Sequence, residues 1–317
     1  MNLARSVSAV AEASGDGQVD WGAVAEAAKG ATDPGDLSLT AARETAYADD
    51  VRAARDRVRS VSGLSFDLPE TVEVLDRHHW IDRNVETFAR LLGPIERRDV
   101  SLFPDAARVL NTGSVSVSLA LLARNVLGQF DPLLLGEESG EALYVVHPNV
   151  VETAAELEVD PARFQRWITF HEVTHAAEFG AAPWLSGYLE TRLEESLERI
   201  AAGEFRRDAL AEVNVAMTAV EGYAELVMDR AFDREYADLR AAVEERRAGG
   251  GPVRWLVRRV LGLGMKRDQY ERGKAFFEAV ADARGDAAAA AVWDRPENLP
   301  TDDELDAPAA WLRRIDP

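Results

Sequence analysis

The chain has 317 residues, a formal net charge of −20 and no cysteine. It is long enough for a substantial core, and without cysteine it has no disulfides, thiolate zinc sites or iron–sulfur clusters, which leaves five histidines and the carboxylates as strong metal ligands. Only three lysines (Lys29, Lys266 and Lys274) stand with the arginines against 56 acidic residues, so nucleic acid and anionic membranes are poor partners.

The acidic, lysine-poor, alanine-rich composition predicts the hydrated surface of a salt-adapted, halophilic protein. Residues Met1 to Ser14 carry one Arg and no sustained apolar core, so no secretory signal is visible. The longest uncharged run, Val109 to Ala123, is too short to span a bilayer, and the expectation is a cytoplasmic protein with no membrane partner.

In chain order, the first thirty residues read as helical pieces anchored by Trp21 and broken at Asp33-Pro34-Gly35-Asp36. An Ala- and Arg-rich pattern predicts a long helix from Ser38 to about Val61, ending at Ser62-Gly63, and Phe66 to Pro69 is a loop. Glu70 to Leu92 reads as a second long helix containing His78 and His79. Adjacent helical residues point about 100° apart, so these two cannot face one ion and belong to the surface. Val109 to Phe130 is rich in small and apolar residues and reads as a buried helix, closed by Gly128-Gln129-Phe130-Asp131-Pro132. Ala142 to Asn149 is the best strand candidate, and its open edge could pair with an extended peptide.

Asp160-Pro161 opens a helix, with Asp as N-cap and Pro in the first turn. This helix is expected to run from Pro161 to about Phe179, ended by Gly180 and Pro183-Trp184-Leu185. It carries His171-Glu172-Val173-Thr174-His175, an H-E-x-x-H motif. Residues four apart share a helix face, so both imidazoles can aim at one ion, while Glu172 stands at the edge of that face as a base for water activated by the metal. Helices near Ser186 to Ala202 and Asp208 to Arg230 follow, and the second stacks Glu221, Glu225 and Asp229 on one side. Three acids in an apolar helix need partners or a cation, so the third metal ligand is expected here. Ala248 to Pro252 reads as a loop, Val253 to Leu263 and Met265 to about Arg284 as helices, and Asn298 to Trp311 as a docked tail. There is no internal repeat, no Gly-rich phosphate loop and no convincing nucleophile–histidine pair.

Two histidines and a downstream glutamate with an open position for water form a His₂Glu zinc centre, with Glu221 fitting as ligand. Glu225, one turn on, could accept the free N–H of a ligand histidine, and Asp229, farther along, is expected to pair with an arginine. Tyr223, Tyr188 and His147 are candidates to stabilise an oxyanion. A two-iron carboxylate centre would need a second E-x-x-H pair; the one comparable spacing, Asp76 to His79, is a poor substitute.

The ordered set Asn125 to Pro132, Leu143 to Asn149, His171 to His175 with Pro183-Trp184-Leu185, Glu221-Gly222-Tyr223-Ala224-Glu225 with Val227-Met228-Asp229, and Met265-Lys266 with Gln269-Tyr270 resembles a family of zinc-dependent metalloproteases often labelled as associated with coenzyme F-420 biosynthesis. The resemblance runs from about Leu75 onward. It implies a zincin-like, mostly helical fold, one zinc on His171, His175 and Glu221, and Glu172 as base. Many members carry His and Asp where this chain has Tyr223 and Glu225, and a second His in place of Leu226. The expected architecture is mainly α with a small β-sheet, a single domain over residues 1–317 in which an N-terminal helical part, 1–70, packs on a catalytic part, 71–317. The expected activity is gluzincin-like hydrolysis of peptide or amide bonds in a peptide or protein substrate, the alternative being a non-catalytic metal-bearing helper tied to coenzyme F-420 metabolism.

Overall fold

The computed structural model describes residues 2–15, 17–96, 104–131, 141–204, 209–232, 236–248 and 267–317. Its helices through the motif are α1 (Leu3–Ala11), α2 (Trp21–Ala31), α3 (Ala41–Ser62), α4 (Arg77–Glu96), α5 (Pro104–Ala123), α6 (His147–Glu156) and α7 (Pro161–Ala181). After these come α8 (Leu185–Ala201), α9 (Ala211–Ala231), α10 (Ala237–Ala248), α11 (Arg267–Arg284) and three short ones, α12 (Asp286–Ala290), α13 (Asp302–Asp306) and α14 (Pro308–Ile315). Three strands, β1 (Thr71–Leu75), β2 (Gly128–Asp131) and β3 (Ala142–Val146), form one sheet in the order β1-β3-β2. The fold is therefore mainly helical with a small sheet, as expected. Gly249 to Pro252, the helix read over Val253 to Leu263, Met265 and Lys266, Pro132 and the start of a helix at Asp208 lie outside the described residues.

The sheet separates two cores because alternate residues of a strand face opposite sides. Leu143 and Val145 of β3 and Phe130 of β2 join the core built on α3, α7, α9 and α11. Ala142, Tyr144 and Val146 join a second core with Trp80, Ile81 and Phe88 of α4, Leu119 and Leu122 of α5, and Val24 and Ala28 of α2. Within residues 1–70, α2 packs on α4 and α5, whereas α3 packs along α7 on the opposite face of the sheet.

Three sequence readings change. Thr71–Leu75, read as the start of a helix, is strand β1, where β-branched Thr71, Val72 and Val74 suit a pleated surface; it pairs parallel to β3. Gly128–Asp131, read as a closing turn, is strand β2, antiparallel to β3 with Phe130 opposite Leu143. β3 therefore lies between two neighbours and has no open edge to offer; among the described residues the outer edges belong to β1 and β2. It also ends at Val146, because Pro148 falls in the first turn of α6.

Helix α5 is only partly buried: Leu110 and Val117 face outward, while Thr112 and Ser116 are enclosed. Its stretch Asp105–Ala123, 19 residues with mean hydropathy 1.3, is long and apolar enough to cross a membrane by length and composition. It lies against α2, with Asp20 N–H donating to Thr112 Oγ1 and Arg108 Nε donating to Gly17 O.

Helix ends follow their local chemistry. Asp160 Oδ1 accepts from Arg163 N at the start of α7, and Gly63 closes α3 in the left-handed region at φ 70°. The motif helix runs through Gly180, whose bare Cα lies against Phe66. At α9 and α11 the backbones themselves touch: a Cβ on Gly222 would stand 2.4 Å from Gly273 C, and one on Gly273 would stand 2.3 Å from Thr218 O. Because the clash is with backbone, a Gly273→Ala protein is expected to lose about 1–3 kcal/mol or more of stability, which thermal or urea unfolding will report. An unchanged unfolding midpoint would show that the two helices do not need this approach.

Candidate metal centre

The motif occupies the middle of α7, where Phe170, Val173, Thr174, Ala176, Ala177 and Phe179 are buried and one face, that of His171 and His175, keeps partial exposure. On that face the imidazoles of His171 and His175 stand with ring centroids 4.6 Å apart and planes at 78°. Their Nε2 atoms are 3.2 Å apart. Helix α9 brings Glu221 to them, with Oε2 4.0 Å from His171 Nε2. The three side chains each offer an atom within 4.8 Å of the others and are 13 to 17 % exposed, so the cluster is enclosed but reachable.

This donor set fits zinc. Two nitrogens bound to one zinc at about 2.0–2.1 Å and near-tetrahedral angles stand about 3.3 Å apart, close to the separation already present. Glu221 needs only a small inward movement to join them. Among the described residues no other group of three His, Asp or Glu side chains is close enough to share an ion. The sheet-side pair His79 and Asp76 bond each other at an exposed position, Nδ1 to Oδ1 2.9 Å, and His78 Nε2 is 2.9 Å from Thr32 O.

Glu172 points from the same turn toward β2. Its Oε2 accepts a hydrogen bond from Phe130 N, 3.0 Å, and a Cβ on Gly128 would stand 2.5 Å from its Cγ. Glycine at 128 is what lets the strand lie over the carboxylate. Burial pushes the Glu172 carboxyl up to about 7; the His175 charge and the Phe130 N–H oppose the rise and Glu221 adds to it. A nearby cation would draw it back down. Such a group is basic enough to take a proton near neutrality and acidic enough to release it.

A residue with no role assigned from the sequence completes the cluster. His175 Nδ1 lies 2.8 Å from Oε2 of Glu178, which is fully buried. Burial works against a charged His175, but the Glu178 hydrogen bond and charge outweigh it and hold the imidazole above its usual range; burial likewise raises Glu178. An acid three residues after the second histidine, on the same helix, was the available signal.

The three oxyanion candidates each have other contacts, and Tyr223 also has the Glu178 charge near it. His147 Nδ1 bonds Tyr47 Oη at 2.8 Å, and its charged neighbours are Arg43 and Asp36. Tyr188 packs edge-on against Trp184 beneath the Arg192 guanidinium. Tyr223 follows Glu221 by two residues, a rotation of about 200° on a helix, which turns it into the core against Phe277 and Trp293. Glu225 lies one turn beyond Glu221 on α9 and is half-buried, and the carboxylate on His175 Nδ1 is that of Glu178. Asp229 pairs with Arg240 and with Lys274 Nζ at 2.8 Å, which ties α9 to α10 and α11.

A search of curated proteins gave no match. A crystal structure from Chloroflexus aurantiacus, described as that of a proposed hydrolase with a novel fold, is 30% identical, with a TM-score of 0.78 over 94% of this chain and 99% of the other. A family model described as zincin-like metallopeptidase matches residues 19–204 and 199–312. By that match the chain belongs to the zincin-like metallopeptidase family.

Proposed function

We propose that this chain is a zinc-dependent peptidase in which His171, His175 and Glu221 hold one ion and Glu172 is the general base. The observation that carries the reading is the convergence of both Nε2 atoms with a glutamate oxygen, beside a buried carboxylate raised toward neutrality. Zinc held there would supply Lewis-acid polarisation of a scissile carbonyl and lower the pKa of water at its open position. Glu172, with Oε2 tied to Phe130, takes the water proton on Oε1 and delivers it to the leaving nitrogen.

The outer edge of β2 favours an extended peptide as substrate. Val146 N donates to Leu127 O, so by antiparallel alternation residues 129 and 131 turn their backbone groups toward β3, and 128 and 130 turn theirs outward. On that edge Glu172 already takes the Phe130 N–H, so a peptide main chain pairing there would use the remaining outward groups, the Gly128 N–H and the Gly128 and Phe130 carbonyls, beside the base. Pairing by main-chain hydrogen bonds accepts many sequences.

Three outcomes follow for measurement on the purified protein. His175→Ala should lose most zinc, read by metal analysis after dialysis, and a full zinc content in that variant would remove His175 from the centre. Glu172→Gln should retain zinc and lose hydrolysis of a mixed peptide library at high salt, because the amide cannot accept the water proton; if wild type and variant are equally inactive, the chain is a metal-bearing helper instead. Gly128→Ala should keep zinc yet lower kcat by displacing Glu172, and wild-type kcat in that variant would show that the strand does not set the position of the base.

A further inference from the structure

Glu178 is out of place on stability grounds. It is fully buried, its Oε1 has no hydrogen-bond partner, and its Oε2 bonds His175 Nδ1. A buried carboxylate with one of its oxygens unsatisfied costs more than an apolar side chain of the same size would. Thr174, Ala177 and Phe179 around it are buried and fill their places without such a cost. A helix that needed only to pack would carry a methionine or leucine there.

We infer that Glu178 is the positioning residue for His175: it holds the imidazole by Nδ1, so that Nε2 is the nitrogen presented to His171 and Glu221, and it does so at the expense of fold stability. This rests on the metal-centre reading above and extends it to a residue that neither the motif nor the family match identifies. The geometry is that of a preset ligand. His175 Nε2 already stands 3.2 Å from His171 Nε2, and the ring cannot rotate about its Cβ–Cγ bond without breaking the 2.8 Å contact to Glu178. A ligand fixed before the ion arrives loses less freedom when it binds, which raises affinity without a further contact to the metal.

A structural prop and a positioning residue are separated by measuring two quantities on Glu178→Gln and Glu178→Met: zinc affinity by chelator competition and the thermal midpoint of the zinc-free protein. Glutamine keeps an acceptor oxygen for Nδ1–H and loses the charge; methionine loses both. The expected result is zinc affinity weaker by about 10-fold in Glu178→Gln and by about 100-fold in Glu178→Met, with zinc-free midpoints equal to or above wild type. Affinities of both variants within twofold of wild type would overturn the inference, and so would midpoints that fall together with affinity, which would make Glu178 a packing residue. Wild-type protein titrated in the same experiment must bind one zinc per chain. Its failure to do so would defeat the metal-centre reading itself, whereas a binding wild type with indifferent variants defeats the Glu178 inference alone.

Discussion

The constraint that shapes this molecule is that a helix buried on nearly every side carries His171, Glu172, His175 and Glu178 within eight residues. Taking unpaired charges out of water costs several kcal/mol each, so such a helix is tolerated only where its polar groups find one another or find backbone. Each of them does. Glu172 is met by the Phe130 N–H of β2, His175 and Glu178 are met by each other, and His171 faces Glu221 from α9. The remaining like charge, with three glutamates near two histidines, is the kind of surplus that a divalent cation neutralises.

That constraint explains where the chain spends its glycines. β2 reaches Glu172 only because residue 128 has no side chain, and α9 settles against α11 only because residues 222 and 273 have none. Gly222 is the neighbour of Glu221, so the backbone contact that brings two helices together also sets the height of the proposed third ligand. Two turns farther along α9, Asp229 is clamped by Arg240 and Lys274, which resists rotation of the helix about its axis. Packing of small residues and a distant ion pair thus serve the same end as the polar contacts of the motif.

Much of this was written locally in the sequence. The span of α7, its Asp160 cap, the Gly63 end of α3 and the shared face of His171 and His175 follow from spacing and capping alone, since each depends on residues within one or two turns. The strands were harder to see, because a four- or five-residue strand exists through its partners and not through its own pattern. Gly128 reads locally as a turn former and is a strand residue only with β3 beside it, and Thr71 to Leu75 reads as part of the helix that follows. The acid on His175, Glu178, sits on the motif helix itself, three residues on, and a search for acids on the helix that supplies Glu221 passes over it. Tyr223 shows why direction is hard to read from closeness in sequence: a helix turns about 100° per residue, so a side chain two positions from Glu221 packs on Phe277 and Trp293.

The most direct test of the account is X-ray absorption at the zinc edge on the purified protein, with metal content measured on the same sample. The account predicts one zinc per chain with two imidazole nitrogens at about 2.0–2.1 Å, one carboxylate oxygen and one further light scatterer. A protein that takes up no zinc, or whose zinc is surrounded by oxygen without the outer-shell signature of imidazole rings, would contradict it.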